Sequence, residues 1–590
     1  MTYRAPVADM AFTMRHVAGL SESIASGLYA DLTDDLAVSI LEEAAKFAGE
    51  RLAPLNHAGD KHGAVLRDGA VKTPPGWKQA YADWAAAGWG AVAATADHGG
   101  QGLPVLLNIA CTEMWNAANM AFSLNPLLTM GAVEALTAHA SGTLKKTYLA
   151  KMISGEWTGT MNLTESSAGS DLSVLRSKAV PAEDGSYRIT GQKIFITYGE
   201  HDLTENIVHL VLARLPGAPA GTRGISLFLV PKFLVNADGS LGARNDVRCH
   251  SIEHKLGIHA SPTCTMVFGD QGGAVGYLVG EENRGLNCMF TMMNNARLAV
   301  GVQGVAIAER AYQQALHFAR ERRQGKAPGA SGGSSPLIEH PDVKRMLAEM
   351  RAKTQAARAI CYATAAAIDR ARHGKDKAAH EEAGILTPVA KAYSTDIGIE
   401  VASLGVQLHG GMGFVEETGA AQHYRDARIL PIYEGTNGIQ SIDLVMRKLP
   451  LSGGNAVKAL IQRYRAAAAK ASAVNDAAFG ATGKRAAEAV EALARATDWM
   501  LAALGRDPAA ALAGATPYQK LFGAAAGAAY LAEAALAAHA AKAAGDTDPA
   551  HHQRIAAARA FAENIAVLAT GLEAAVVEGS SAINEFTDAA

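Results

Sequence analysis

Five short segments carry the side chains whose types and spacing suit chemistry. In RDARILPIYEGTNGIQ, Arg425 to Gln440, Glu434 stands between an apolar stretch and a glycine. Partial burial there raises a carboxyl pKa and fits the group for proton abstraction, although a loop glutamate can equally be a solvated one. LTESSAGSD, Leu163 to Asp171, has small and hydroxyl-bearing residues that let backbone amides approach a planar or anionic ligand; an ordinary polar turn has the same composition. KIFITYG, Lys193 to Gly199, reads as a strand ending at Thr197, whose hydroxyl can face a planar ring beside Phe195, or simply as core strand. Arg322, Arg323 and Gln324 end a long helical pattern, where cations suit the helix dipole and equally suit a pyrophosphate. QLHGGMGF, Gln407 to Phe414, is a glycine-rich loop between helices; no strand precedes it, so a dinucleotide fingerprint fails on context, while phosphate cradling stays open.

The elements that must position these segments change character along the chain. Up to about Glu156 the pattern is helical, as in DDLAVSILEEAAKFAGERLAPL, and one glycine-rich loop, HGGQGLP, interrupts it. From Trp157 to Gly280 come short Val-, Ile-, Phe- and Leu-rich runs typical of strands. Helical periodicity returns from Glu281, broken by the Gly/Ser/Pro-rich stretch Ala327 to Pro341. After LSGGN, Leu451 to Asn455, alanine dominates, with GATGKR and GDTDPAHH as connecting loops. The expected organisation is α+β and multidomain: a helical domain over 1–156, a β-barrel or sandwich over 157–280, a helical bundle over 281–450 carrying Glu434, and an Ala-rich helical domain over 451–590.

Composition excludes several function classes. With 590 residues, 54 Lys+Arg and 57 Asp+Glu, the net charge is −3, so no strong field draws the chain to nucleic acid. The five cysteines (Cys111, Cys249, Cys264, Cys288, Cys361) are scattered and never spaced as a zinc or disulfide framework, so no metal site is expected. The N-terminus has no uninterrupted apolar signal core, which points to a cytoplasmic protein. The apolar stretch LFGAAAGAAYLAEAALAAHAA is mostly alanine and carries Glu533 and His539, so it reads as a packing helix and not a membrane span.

Taken together, LTESSAGSD, FITYG, NNAR, ARERRQG, QLHGGMGF and RDARILPIYEGT, in this order on a helix–β–helix layout, resemble the acyl-CoA dehydrogenase family over residues 31–448. The Ala-rich extension resembles the larger bacterial branch of that family. The resemblance implies FAD as cofactor and desaturation of an acyl-CoA thioester between Cα and Cβ, with Glu434 taking the α-proton. It further implies that the thioester oxygen bonds to the Glu434 N–H and a cofactor ribityl hydroxyl, and that Gly435 permits the turn that offers both groups.

By the same resemblance Leu163 and Thr164 meet the flavin pyrimidine, Ser170 lies near cofactor phosphates or CoA, Thr197 stands beside flavin N5, and Phe195 shields the ring where many members have Trp. Arg322 and Gln324, with Gln407, Gly410 and Gly411, match residues that reach FAD across a subunit boundary, which implies a homo-oligomer, expected as a dimer. Arg297 matches an arginine near CoA, and Thr436 one on the adenosine side. Gly325 and Gly438 depart from the family's Phe and Gln, which puts fine detail of adenosine binding in question. An electron-transfer flavoprotein is the implied electron acceptor and a short thioether acyl group the suggested substrate. Two rivals share the fold: an acyl-CoA oxidase using O2, and a DNA-associated flavoprotein, which the acidic net charge disfavours.

Overall fold

The computed structural model describes residues 3–29 and 32–585. Asp31, the first residue of the family resemblance, and both chain ends lie outside the described residues. By their internal contacts the residues form two units: Phe47–Pro104 with Ala118–Ala296, and Met1–Lys46 with Val105–Ala117 and Arg297–Ala590. The helices Val105–His139 and Gly285–Glu321 each supply residues to both.

The first of these units is built on a β sheet. Its strands run in the order Val247–Ile252, Thr263–Phe268, Tyr187–Thr197, Ala274–Val279, Ile225–Pro231, Asn206–Arg214 and Trp157–Asn162. The short strand Lys178–Pro181 pairs with both Tyr187–Thr197 and Asn206–Arg214, closing five of the strands into a ring. The two apolar central strands, Asn206–Arg214 and Ile225–Pro231, are buried on both faces almost throughout. Val247–Ile252, at the edge, alternates buried and exposed, as a strand with one wet face must. Ile189, Ile196, Val211, Phe228, Cys264, Met266 and Phe268 share one core.

One feature of this unit departs from expectation. Within the region read as helical, Val65–Arg67 and Ala70–Lys72 form a hairpin. Its turn residues Asp68 and Gly69 both have positive φ, 50° and 75°, the conformation a two-residue Asp-Gly turn needs. VLRDGAVK carries that signal, and the surrounding helical periodicity hides it.

The second unit is helical. Helix Pro341–His373 starts on a proline at its first position, and Lys377–His409 packs back along it. Asp376 caps the latter by accepting the N–H groups of Ala378 and Ala379, at 2.9 and 3.2 Å. The Ala-rich region gives Asn455–Ser472, Thr482–Arg506, Ala515–Ala543 and Ala550–Asn564. Thr482–Arg506 takes in most of the GATGKR segment expected as a loop, leaving Gly480 and Ala481 as the connection. Small residues are needed on Ala515–Ala543 because it is approached closely: a Cβ at Gly523 would fall 2.2 Å from the Tyr393 ring. That helix is long and apolar enough to cross a membrane, but 83% of its most apolar window is buried inside the protein. A second such stretch, Ala550–Val577, is less covered, and it holds Arg554 paired to Asp9 at 2.9 Å and Glu573 paired to Arg495 at 2.6 Å. On helix Pro341–His373, Arg358 is fully enclosed, bonded to Glu113 at 2.7 Å and Glu309 at 2.9 Å, while the Tyr362 hydroxyl donates to Glu113 at 2.8 Å.

Candidate active site

Glu434 lies in the helical unit, on the turn between helices Ala420–Ala427 and Asn437–Asp443. Successive turns fold this segment tightly: Ile432 N–H donates to Ile429 O at 2.9 Å and Asn437 N–H to Pro431 O at 2.9 Å. The Thr436 hydroxyl caps the following helix, accepting the Ile439 N–H at 3.2 Å. Glu434 has φ 55° and Gly435 φ 80°. A left-handed glutamate is uncommon and costs free energy that surrounding contacts must offset. Glycine suits the Gly435 position: a side chain there would be strained at φ 80°, and its Cβ would press on Gln440 Nε2 at 2.7 Å. Gln440 Nε2 in turn donates to the Glu434 and Gly435 carbonyls at 3.1 and 3.3 Å.

The turn leaves two groups of Glu434 available. Among the described residues its backbone N–H has no acceptor and its carboxylate no donor. Protein atoms crowd the carboxyl while part of its surface stays open. Burial pushes it up to about 7, with the cations of Lys391 and Arg297 pulling the other way. Tyr433, next to it, donates its hydroxyl to Gln303 Oε1.

Arg297 is 4% exposed and ion-paired to Asp443 at 3.1 Å, with Arg447 on the same carboxylate at 2.5 Å. It stands in the field of Glu434, and burial lowers its pKa. Arg322 and Gln324, exposed just past helix Gly285–Glu321, touch each other at 3.4 Å. Gln407, Gly410 and Gly411 form one exposed turn at the end of Lys377–His409, with Gly410 at φ 62°. No hydrogen bond joins these two groups among the described residues. Gly325 has φ 61°, a conformation that favours glycine over the phenylalanine that the resemblance leads one to expect. Gly438 sits in the first turn of the helix that Thr436 caps.

The β unit supplies the remaining expected residues. The loop after strand Trp157–Asn162 is pinned by Glu165, whose N–H and C=O pair with Ala168 at 3.0 Å each. Its carboxylate accepts Lys193 Nζ at 2.8 Å, Ser177 Oγ at 2.7 Å and the Arg176 N–H at 2.6 Å. Burial opposes that charge, but Lys193 and the N–H donors hold Glu165 below the usual carboxylate range. Lys193 is fully buried, pushed down to about 8 by that burial, and donates a second bond to Leu163 O at 3.0 Å. The Ile194 N–H donates to Thr164 O at 2.9 Å. Leu163 is therefore buried and fixed, Thr164 half-buried, and Ser170 exposed.

On strand Tyr187–Thr197 the pairing register slips between Lys193 and Ile196. At this bulge Phe195 takes φ 59° and is 58% exposed. Thr197 returns to register opposite Thr263 and is half-buried. An outward aromatic ring on a bulge, a hydroxyl two residues on, and a loop whose Leu163 and Thr164 carbonyls are already engaged, leaving neither free to repel a ring's own, fit a flavin.

Sequence reasoning singled out neither Lys193 and Glu165 nor Lys391, Asn437 and Gln440, all of which brace these loops. The available signal is a lysine inside an apolar run, in KIFIT and again in TPVAKAYS.

Models of the acyl-CoA dehydrogenase N-terminal domain, middle domain and C-terminal domain match residues 35–156, 160–271 and 283–449. One described as acetyl-CoA dehydrogenase C-terminal like matches 457–587. The 3-methylmercaptopropionyl-CoA dehydrogenase of Ruegeria pomeroyi is 51% identical over 89% of this chain and 89% of its own. An acyl-CoA dehydrogenase of Bacillus anthracis, solved with FAD, superposes with TM-score 0.74 over 95% of this chain and 90% of its own, at 21% identity, a likeness of fold. A chain solved in work on the electron transferring flavoprotein of Acidaminococcus fermentans gives TM-score 0.58 over 70% and 97%, at 26% identity.

Proposed function

The chain belongs to the acyl-CoA dehydrogenase family, an FAD-dependent oxidoreductase family, and on that footing we propose that it desaturates 3-(methylthio)propanoyl-CoA with Glu434 as the base. The observation that carries this is the Glu434 turn: a carboxylate without a donor beside a backbone N–H without an acceptor, on one residue held left-handed. An α-proton of a thioester is weakly acidic, so its removal needs the base desolvated and the developing enolate oxygen bonded. Burial gives Glu434 the first. Its N–H, aimed by the Gly435 turn, offers the second.

Bound FAD supplies the acceptor for the hydride that leaves Cβ. Leu163, Thr164, Phe195 and Thr197 would hold its ring. Arg322, Gln324, Gln407, Gly410, Gly411 and Thr436 would hold its pyrophosphate and adenosine, the Arg322 and Gln407 groups from a second copy in a homodimer. Arg297, Ser170 and Gly435 are assigned to the substrate side, Arg297 through the charge it sets behind Glu434. The choice of acyl group rests on the 51% identity to the Ruegeria pomeroyi enzyme. A cytoplasmic location and an electron-transfer flavoprotein as acceptor complete the reading.

The test is anaerobic bleaching of the flavin, titrated separately with 3-(methylthio)propanoyl-CoA, butanoyl-CoA and a long-chain acyl-CoA, on wild type and Glu434→Gln. The thioether substrate is expected to bleach wild type fastest, and Glu434→Gln to keep its flavin yet bleach with none. Equal bleaching by the variant refutes the base; a preference for another chain length refutes the substrate.

A further inference from the structure

We propose that Lys391 is a positioning residue for the base: its ammonium, locked between two neutral oxygens of the turn, fixes the direction of the Glu434 carboxylate and favours its charged form. The inference rests on Glu434 being the base.

Lys391 is fully buried on helix Lys377–His409. Its Nζ donates to the Gly435 carbonyl and to Asn437 Oδ1, both at 2.9 Å. Asn437 is itself tied down, its Nδ2 reaching Asp396 Oδ1 at 2.7 Å, Thr395 Oγ1 at 3.0 Å and Ala392 O at 3.1 Å. With Gln440 on the Glu434 and Gly435 carbonyls, the peptides after the base are clamped from two sides. A left-handed glutamate would otherwise relax and take its side chain with it.

The electrostatic half follows from what each nearby cation already touches. Glu434 faces Lys391 from Lys377–His409 and Arg297 from Gly285–Glu321, and it lies beside Tyr433, which also feels Asp426. Arg297 shares the Asp443 carboxylate with Arg447, at 3.1 and 2.5 Å, so its guanidinium is already engaged by a carboxylate. Lys391 faces Glu434, Asp396 and Arg297, and both of its hydrogen-bond acceptors are uncharged. Its positive charge is left for the two nearby carboxylates, and Asp396 is held by an amide. An ammonium buried on neutral partners is costly to keep; a brace for the turn alone needs only a neutral donor. Burial pulls Lys391 down to about 7, with the Glu434 charge pulling the other way, so the ionisation of each bears on that of the other.

The experiment is the pH dependence of anaerobic flavin bleaching, at limiting 3-(methylthio)propanoyl-CoA, in FAD-loaded wild type, Lys391→Gln, Lys391→Arg and Glu434→Gln. Glutamine keeps a donor for the turn and removes the charge. A carboxylate that loses a neighbouring cation protonates more readily, so the acidic limb of Lys391→Gln is expected to move up by about 1 pH unit. Below the limb its rate then falls about tenfold, while Lys391→Arg keeps the wild-type limb. A Lys391→Gln limb that coincides with wild type, at any absolute rate, overturns the inference, because a purely structural lysine would change the rate or the flavin content alone. If Lys391→Gln takes up no FAD, Asn437→Ala is read instead. It strips one acceptor from the ammonium, and a smaller shift in the same direction is expected; an unmoved limb again overturns the inference. Glu434→Gln separates the two readings: bleaching by that variant removes the base itself, whatever Lys391 does.

Discussion

The wild-type pH profile tests the burial of Glu434 most directly. Burial holds its carboxyl up at about 7, whereas a solvated glutamate titrates at about 4.3. The reaction needs the ionised form, so the second-order rate of flavin bleaching rises with pH through the carboxyl's own value. With a midpoint of about 7, roughly 9% of the sites are ionised at pH 6 and roughly 91% at pH 8, a gain of about tenfold. With a midpoint of about 4.3, roughly 98% are already ionised at pH 6 and the profile is flat to within a few per cent. Lys391 titrates alongside, so the measured midpoint belongs to the pair, but its direction does not change. Stopped-flow bleaching under anaerobic conditions, at substrate well below saturation and across pH 5.5 to about 8.5, reads the limb before electron transfer to any acceptor can limit it. A rate constant over pH 6 to about 8 would refute the claim that the carboxyl is desolvated before substrate arrives.

Three further outcomes follow from the same geometry. Gly435→Ala places a Cβ 2.7 Å from Gln440 Nε2 at φ 80°; left-handed backbone alone costs about 1–2 kcal/mol, so bleaching should slow tenfold or more with flavin content unchanged, and a wild-type rate would show that the turn tolerates a side chain. Lys193→Met leaves the Glu165 carboxylate buried without its cation, a loss of about 3–5 kcal/mol; a lower Tm and release of FAD on gel filtration are expected, and retention of both would mean the ion pair does not hold the loop. Arg322→Ala removes an exposed charged donor and no core contact, so the FAD Kd should rise about 10- to 100-fold, as for a lost charged hydrogen bond of about 1.5–3 kcal/mol, with an unchanged far-UV circular dichroism spectrum.

The parts of this molecule legible from sequence are those where local pattern and environment agree. Continuous apolar runs mark the central strands Asn206–Arg214 and Ile225–Pro231, and three- and four-residue spacing marks the long helices. Glu434 is legible because a carboxylate between apolar residues and a glycine is a local anomaly. The Val65–Lys72 hairpin has its Asp-Gly turn in the sequence, but its two three-residue strands are too short to stand out from the helical periodicity on either side. Phe195 read as a strand residue, and it is one; its outward turn comes from a slip against Thr263–Phe268, which no property of KIFITYG alone encodes.

One physical device recurs beside two left-handed residues that lie in different units. Phe195 and Glu434 are non-glycine residues with positive φ, 59° and 55°, in segments expected to face cofactor and substrate. Near each, a fully buried lysine donates to a main-chain carbonyl: Lys193, two residues before Phe195, to Leu163 O of the neighbouring loop at 3.0 Å, and Lys391, on helix Lys377–His409, to Gly435 O at 2.9 Å. The two differ in charge balance. Lys193 is matched by Glu165 at 2.8 Å, so the pair adds no net charge beside the loop expected to hold a ring. Lys391 has only neutral acceptors, so its charge stays available to the carboxylate that must gain and lose a proton. An interior lysine is too costly to keep for packing alone, and in an apolar helix or strand it marks the backbone that the site cannot allow to move.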